Sequence, residues 1–154
     1  MSKPKFVYVT YIASTPEKVW EALTSPEFTR QCWFGTHHET DWKVGSQWRL
    51  VFDDGRIADA GEVLEADPPF RVVLRWRNEF RPEAKAEGYS RCTIAIESLD
   101  GAVKLTIVHE LEDDRAESKF IDAVSGGWPR ILSNVKSLLE TGKLVLRTKT
   151  GGAS

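Results

Sequence analysis

The chain has 154 residues, of which 41% are hydrophobic and 29% charged, an ordinary composition for a folded globular domain. Its 21 basic and 23 acidic residues give a formal charge of -2, so neither nucleic acid nor an anionic membrane is expected as a partner. The sequence contains no stretch of about 18 apolar residues, and no apolar leader follows Met1. We therefore expect a cytoplasmic protein without membrane insertion.

The cysteines and tryptophans indicate more closely what kind of protein this is. Cys32 and Cys92 form neither a spaced metal cluster nor a disulfide framework, so we interpret both as buried thiols and expect no metal site and no cofactor. Six tryptophans are many for this length. Each buries a large area and needs a partner for its indole N–H, which indicates either a thick core or an aromatic-lined pocket.

The amino-terminal part predicts one strand followed by two short helices. Residues 6–12 are β-branched and aromatic, as is typical of a strand. Thr15 as the cap and Pro16 at the first helical position predict a helix, which ends before Pro26. A second short helix is predicted over residues 27–33.

Six strands are predicted next, separated by turns such as Asp54-Gly55 and Asp100-Gly101, where positive φ is tolerated. Apolar and polar residues alternate within them, as expected of an antiparallel sheet that is covered on one face. The predicted inward residues include Phe70. The strands are predicted over residues 36–42, 47–52, 56–66, 70–77, 89–99 and 103–111.

The last predicted element is a helix over residues 115–141, whose apolar residues recur every three or four positions. Gly142 is a suitable stop, and Pro129 predicts a kink near Gly126. We expect residues 1–146 to form a single helix-grip domain, with 147–154 as a flexible tail. The apolar stripe comprises Phe120, Val124, Trp128, Ile131, Val135 and Leu138.

A seven-stranded sheet has to curl around the one long helix in order to bury its apolar face. Curling a wide sheet around a single helix leaves a space at one end. The sequence therefore predicts an α+β helix-grip fold, with one strand, two helices, six strands and a long helix in that order. It also predicts an apolar cavity between the sheet and the last helix.

Three segments carry a resemblance to a known family. Residues 13–24 (ASTPEKVWEALT) resemble the opening signature of the START-like, Bet v 1-like superfamily, also called SRPBCC. Residues 61–69 (GEVLEADPP) and 127–136 (GWPRILSNVK) resemble the branch related to activators of heat-shock-protein-90 ATPase. The resemblance implies a helix-grip fold with a cavity for a lipid-, aromatic- or polyketide-like molecule. For the activator branch it implies assistance to a chaperone in the stress response.

We predict that the partner is a small hydrophobic molecule held in this cavity. Each aromatic ring is also compatible with simple core packing, and Trp33 with a lid or a surface anchor. His109 fits either a donor to the ligand or a core histidine satisfied by a backbone carbonyl; His38 fits either an inward or a solvated position. The predicted cavity residues are Trp33, His38, Trp48, Phe52, Trp76, His109, Trp128 and Leu132.

No pattern of residues points to catalysis. The polar candidates for inward positions are His38, Asp59, Tyr89 and His109, and no spacing ties them together as a nucleophile with its base or as paired acids. We therefore predict ligand binding without catalytic residues. Two alternatives stay open, a chaperone cofactor that stimulates an ATPase and a polyketide-cyclase-like enzyme, and a homodimer is open as well.

Overall fold

The computed structural model describes residues 3–146, and in this range seven strands and four helices follow one another. In chain order they are β1 (Lys5–Ile12), α1 (Pro16–Thr24), α2 (Pro26–Cys32), β2 (Thr36–Glu39), β3 (Gln47–Phe52), β4 (Ile57–Asp67), β5 (Arg71–Asn78), α3 (Pro82–Lys85), β6 (Ser90–Leu99), β7 (Ala102–Leu111) and α4 (Lys119–Thr141).

The strands form one curved antiparallel sheet in the order β1-β7-β6-β5-β4-β3-β2. From β2 to β7 each strand pairs with the next along the chain, as expected where short turns join neighbouring strands. β1 closes the far edge beside β7, with Phe6 opposite His109. The predicted α+β helix-grip fold is confirmed.

One face of the sheet carries the core. β7 shows the clearest alternation, because every second side chain from Val103 to Leu111 is buried and the residues between them are half-buried. The helix α4 covers this face with its apolar stripe, as its spacing predicts. The buried residues of the stripe and its neighbours are Phe120, Ile121, Trp128, Ile131, Leu132 and Val135.

The start of α1 follows the predicted chemistry. The Thr15 hydroxyl accepts a hydrogen bond from the Lys18 backbone N–H at 3.3 Å, and Pro16 stands at the first helical position. The buried face of α1 includes Val19 and Leu23. The helix is thereby fixed against the core beside the end of β1.

The start of α4 is built by a carboxylate from elsewhere in the chain. Glu87 accepts hydrogen bonds from the Ser118 hydroxyl, from the Lys119 backbone N–H at 2.8 Å and from the Phe120 backbone N–H at 3.3 Å. Burial would raise the pKa of Glu87, but these donors hold it below its ordinary value. The predicted helix start at residue 115 is wrong, because the capping residue that satisfies the first turn is Ser118.

The other end of α4 is tied to β1 and the segment after it. Lys136 donates to the backbone carbonyl of Tyr11 and pairs with Glu140 at 2.8 Å, and Glu140 accepts from the Ala13 backbone N–H at 2.8 Å. Gly142 ends the helix in the left-handed region at φ 80°, as predicted. The helix is therefore bonded to the segment between α3 and β6 at its first turn and to the end of β1 near its last turn.

Several local predictions differ from the structure. Phe70 is wrong as an inward residue: it lies in the turn before β5, where its side chain is 46% exposed. β2 ends at Glu39 rather than at residue 42, because Trp42 adopts φ 57°, which is incompatible with a strand. The short helix α3 was not predicted. The kink expected near Gly126 remains a prediction.

The predicted flexible tail, residues 147–154, lies outside the described residues. Within residues 3–146, none of the helices has the length and apolar character needed to cross a membrane.

Candidate functional site

A cavity of about 280 Å³ lies between the middle of the sheet and the first half of α4. This volume is close to the lower end of small-molecule pockets, roughly 300–1,000 Å³. Its walls come from the segment after α2, from β2 to β5, from α3 and from α4. The lining side chains on the sheet side include Leu50, Phe52, Ala58 and Trp76, and those on α4 include Phe120, Val124, Trp128 and Ile131.

Three indoles form the inner end of the cavity. Trp33 and Trp76 are nearly parallel, with an interplanar angle of 22° and ring centroids 6.4 Å apart. Trp128 meets Trp33 edge-on at 5.0 Å and Trp76 at 6.1 Å. Such offset and edge-to-face contacts stabilise broad rings at the border of a space. The indoles leave the space beside them open rather than filling it.

A glycine makes room for this aromatic arrangement. Gly61 on β4 lies opposite both Trp48 on β3 and Trp76 on β5. Across it the rings of Trp48 and Trp76 approach to 4.4 Å between centroids. A Cβ atom at position 61 would meet the backbone oxygen of Arg75 at 1.6 Å, so no larger residue fits there.

A polar corner interrupts the apolar wall. A β-bulge between β3 and β4 pairs Leu50 with Asp59 but Val51 with Ile57, so that Ala58 is the extra residue. Asp59 lies just before this bulge in the ladder, in regular alternation with Gly61, and faces the cavity opposite Asn78. Both side chains are buried although their residue types are usually exposed.

Asn78 holds Asp59 in a fixed orientation. The Asn78 Oδ1 atom accepts from the Arg81 backbone N–H at 2.8 Å, which leaves its Nδ2 group to donate to Asp59 Oδ1 at 3.1 Å. Burial raises the pKa of Asp59 to about 7, with the Trp76 indole and the Asn78 amide partly opposing this rise. Asp59 therefore changes its charge near neutral pH inside an otherwise apolar cavity.

The cavity reaches the surface between α3 and α4. Phe80 stands at this opening with its side chain 38% exposed, and Arg130 and Gly126 on α4 are exposed as well. The Arg81 guanidinium lies over the Phe80 ring at 5.5 Å. Among residues 3–146, neither Arg81 nor Arg130 forms an ion pair, so two cationic groups stand free near the opening.

Two histidines lie behind the wall, each bonded to a tryptophan. Trp128 Nε1 donates to His109 Nδ1 at 3.2 Å, and Trp48 Nε1 donates to His38 Nδ1 at 2.9 Å. Because an indole N–H only donates, each Nδ1 must be unprotonated and each neutral ring carries its hydrogen on Nε2. The Nε2 group of His38 then donates to the Leu23 carbonyl at 2.9 Å.

The second histidine continues into a short relay. His109 Nε2 donates to the Ser90 hydroxyl at 2.8 Å, and that hydroxyl donates to the Trp76 carbonyl at 3.1 Å. Burial lowers the pKa of His109 to about 3 and that of His38 to about 4. Both rings are therefore neutral structural groups at neutral pH. His109 is thus a buried core residue in the structure. Its two ring nitrogens are bonded to the side chains of Trp128 and Ser90 rather than to a backbone carbonyl.

The structure separates the eight predicted cavity residues into two groups of four. Trp33, Phe52, Trp76 and Trp128 line the cavity. The other four do not lie on its wall and are buried in the core instead. For the two histidines and Trp48, hydrogen bonds within the core hold the polar atoms there. These four are His38, Trp48, His109 and Leu132.

Several lining residues were not among the predicted set. Asp59 was one of four polar candidates, and Asn78 was missed because the predicted strand ended at residue 77, one residue before it. Phe120 belongs to the predicted helical stripe, and that spacing was a usable signal. Tyr89, another polar candidate, lies instead beneath the Arg75 guanidinium at 3.9 Å.

In the described part of the chain, no side chains are grouped for metal binding, and neither cysteine is a reactive thiol. Among residues 3–146, no three His, Cys, Asp or Glu side chains come together as metal ligands. Burial raises the pKa of Cys32 to about 11 and raises that of Cys92 further above its ordinary value. Both thiols are therefore protonated at neutral pH and are poor nucleophiles.

The comparisons with known proteins agree with this architecture. A family profile described as Activator of Hsp90 ATPase homolog 1-like protein matches residues 13–140, most of the chain. The chain belongs to this family. The resemblance found in the sequence is thereby confirmed. A search of the curated proteins finds no match.

Several solved structures share the fold. Protein MLL2253 from Mesorhizobium loti is 21% identical with a TM-score of 0.73, and the match covers 92% of this chain and 100% of that one. PFC0360w, an HSP90 activator from Plasmodium falciparum, is 24% identical with a TM-score of 0.69, covering 88% and 95%. The Aha1 dimer from Colwellia psychrerythraea is 18% identical with a TM-score of 0.67, covering 91% and 98%.

Proposed function

We propose that this protein binds a small, largely apolar molecule in the cavity beneath α4. The observation that supports this most directly is the cavity itself, about 280 Å³ in volume, bordered by Trp33, Trp76 and Trp128 and open near Phe80. Burial of apolar ligand surface against these rings supplies the free energy of binding, at roughly 25 cal/mol per Å² before the costs of association. The predicted cavity residues that lie on the wall are proposed as ligand contacts.

The proposal is of binding rather than of catalysis. Asp59 places a buried carboxyl group on the cavity wall, and this group accepts a hydrogen bond from the amide of Asn78. A general acid or base acting alone, without a nucleophile or a group that stabilises developing charge, supplies only part of a catalytic site. A polyketide-cyclase-like activity therefore stays a prediction that the arrangement does not specifically favour.

Nuclear magnetic resonance of the indole N–H groups tests the proposal, with naphthalene as the probe. Binding in the cavity shifts the signals of Trp76 and Trp128, whereas Trp20, which packs against Trp42 away from the cavity, serves as the internal control. Saturable shifts confined to the lining residues are expected. Absence of shifts up to the solubility limit, for naphthalene and for a panel of lipids, would contradict the proposal.

A variant that fills the cavity sharpens this test. Ala123 lines the cavity from α4, so Ala123→Trp places an indole where the ligand is proposed to lie. Ala116 is exposed outside the helix and does not line the cavity, which makes Ala116→Trp the matched control. We expect the first variant to lose naphthalene binding and the second to retain it.

A second candidate function is stimulation of a heat-shock-protein ATPase, favoured by the family profile that matches residues 13–140. The test is the rate of ATP hydrolysis by the chaperone of the same organism with and without this protein. Stimulation that survives in Ala123→Trp would show that chaperone activation and the cavity are separate. An unchanged rate with the wild-type protein would remove this candidate.

A homodimer is also proposed as a testable state, since the similar structure from Colwellia psychrerythraea is described as a dimer. Sedimentation equilibrium over a range of protein concentrations measures the mass directly. A mass that stays at the monomer value of 17.4 kDa would exclude it.

A further inference from the structure

The arginines without an acidic partner lie together at the opening of the cavity. Within residues 3–146, every arginine except two forms an ion pair with an aspartate or a glutamate. The two exceptions are Arg81, at the start of α3, and Arg130, on α4. Both line the cavity near the opening, so the cationic groups that lack a partner coincide with the way into it.

The sequence around Arg130 explains why it has no partner on its own helix. The positions three and four residues away hold Gly126, Gly127, Ser133 and Asn134, none of which is acidic. A helical side chain leans toward the preceding turn, which places Arg130 over the two glycines. An added Cβ at Gly126 would meet nothing within 4 Å. The surface beside the guanidinium is therefore open to a ligand.

Arg81 reaches the opening from the other side. Its guanidinium lies over the Phe80 ring at 5.5 Å, a contact in which the ring attracts the cation without neutralising it. Glu79, two residues earlier in the chain, pairs with Arg77 and Lys85 instead. Arg81 thus keeps its positive charge available on the wall of the cavity.

The inner part of the cavity decides how an anionic molecule would lie. Its wall carries aromatic rings and the buried carboxyl group of Asp59. A second carboxylate placed there would be repelled by charged Asp59 and would lose its hydration without compensation. At the opening, Arg81 is half-buried and Arg130 is exposed, so an anion keeps part of its hydration and gains two cations. The anionic end therefore belongs at the opening and the apolar end inside.

We propose that the cavity takes a small amphipathic carboxylic acid, whose apolar body lies against the indoles and whose carboxylate pairs with Arg81 and Arg130. This rests on the proposed ligand-binding function and specifies its ligand class. The planar fork of N–H donors on a guanidinium matches the two oxygens of a carboxylate. A neutral ligand would leave both arginines unpaired, and an ammonium group would be repelled by them.

The test compares three probes that share one aromatic ring system and differ in charge: naphthylacetate, naphthylacetamide and naphthylethylammonium. Isothermal titration calorimetry at neutral pH measures their affinities for the wild-type protein. We expect naphthylacetate to bind about fivefold to tenfold more tightly than the amide, as two partly exposed ion pairs imply, and the ammonium probe to bind more weakly than the amide. Added salt should reduce the advantage of the acetate, because salt screens such pairs.

Variants assign the preference to the two arginines. Arg81→Gln and Arg130→Gln each remove a charge and keep a polar side chain, so each should lower the acetate-to-amide affinity ratio by about threefold. The double variant should bring the ratio close to one. Arg71→Gln is the matched control, since it removes the same charge at an exposed position that pairs with Glu65 and does not line the cavity. It should preserve the wild-type ratio.

The possible results separate this inference from the function on which it rests. Equal affinities of the acetate and the amide for the wild-type protein would overturn the carboxylate site and leave apolar ligand binding intact. Binding of none of the three probes would overturn both. The formal charge of -2 gives the protein no general attraction for anions. An acetate preference that persists in the double variant, or falls equally in Arg71→Gln, would therefore overturn the assignment to Arg81 and Arg130. The wild-type comparison stands even where a variant fails to fold.

Discussion

The indole of Trp128 donates to His109 Nδ1 at 3.2 Å, joining the middle of α4 to the last strand of the sheet. The same ring meets Trp33 and Trp76 edge-on, at 5.0 and 6.1 Å between ring centroids. The bond and these contacts hold Trp128 against the sheet, where it lines the cavity. The hydrogen bond thus fixes the distance between helix and sheet at the point where the cavity begins.

Removal of the acceptor in this pair should destabilise the fold. His109→Leu leaves the Trp128 N–H buried without a partner and interrupts the bond to Ser90, so we expect the free energy of unfolding to fall by about 2–3 kcal/mol. Urea denaturation followed by circular dichroism measures this loss. The effect depends on the orphaned donor rather than on a change in apolar volume.

A double-mutant cycle isolates the hydrogen bond. Trp128→Phe removes the donor, and the His109→Leu substitution should cost less in that background than in the wild-type protein. A coupling free energy of about 1 kcal/mol is expected for a neutral bond of this kind. Strictly additive effects would show that the contact between Trp128 and His109 contributes nothing to stability.

The same histidine gives the protein a defined dependence on pH. The pKa of His109 falls from 6.5 in the unfolded chain to about 3 in the folded protein, so below pH 6.5 the unfolded state binds a proton that the folded state does not. Stability contributed by neutral His109 is therefore present above pH 6.5 and is lost as the pH falls toward about 3. The expected loss is about 1.4 kcal/mol per pH unit.

Comparison of two proteins reveals this contribution. Between pH 6.5 and pH 4.5 the unfolding free energy of the wild-type protein should fall more steeply than that of His109→Leu, with His38 adding the same slope to both. Parallel curves would mean that His109 is protonated equally in the folded and unfolded states.

Asp59 is expected to act in the opposite direction. Its pKa rises from 3.8 to about 7 on folding, so the folded state keeps a proton that the unfolded chain has lost. Its contribution to stability is full below pH 3.8 and is lost as the pH rises toward 7. The nearby charges of Glu79 and Arg81 oppose each other in this shift, and burial is the main cause.

Asp59→Asn removes the charge while keeping an acceptor for Asn78. We expect the variant to gain stability relative to wild type as the pH rises from 4 to 8, by on the order of 2–4 kcal/mol across that range. Thermal denaturation at several pH values measures the difference, with Asp53→Asn at an exposed position as the control. A difference between variant and wild type that does not change with pH would contradict the raised pKa of Asp59.

The fold could be predicted from the sequence more reliably than the details of the cavity. The alternation around His109 and the helical spacing of Phe120 and Trp128 identify the two surfaces that meet, because burial imposes these periods on the chain. The polar corner was predicted only in part. Asp59 follows the ordinary alternation of β4, whereas Asn78 lies one residue beyond the predicted end of its strand, and no residue pattern shows that the two side chains bond to each other.

The start of α4 was missed for a related reason. Ser118 is a local cap, since its hydroxyl accepts from the Ile121 backbone N–H at 3.0 Å, but its further partner Glu87 lies 31 residues earlier and leaves no local signal. Likewise, periodicity places His38 and Trp48 on the inner face, but their bond to each other directs them away from the cavity. Sequence period gives the face of an element, whereas hydrogen-bond partners decide which side chains on that face reach a ligand.

Gly61 gives the sharpest test of how the aromatic wall is built. A Cβ atom there would lie 1.6 Å from the backbone oxygen of Arg75, so Gly61→Ala must push β4 and β5 apart. Separation would also disturb the contact between Trp48 and Trp76. We expect a loss of more than about 3 kcal/mol in the free energy of unfolding, together with weaker ligand binding.

Gly126→Ala is the matched control, since it makes the same chemical change within α4, where an added Cβ meets nothing within 4 Å. In a helix interior, alanine is favoured over glycine by about 0.5–1 kcal/mol, so this variant should be more stable than wild type. Both unfolding free energies come from the same denaturation experiment. Equal effects of the two substitutions would show that the close approach of β4 to β5 at Gly61 does not constrain the protein, and that the contact between Trp48 and Trp76 does not depend on this glycine.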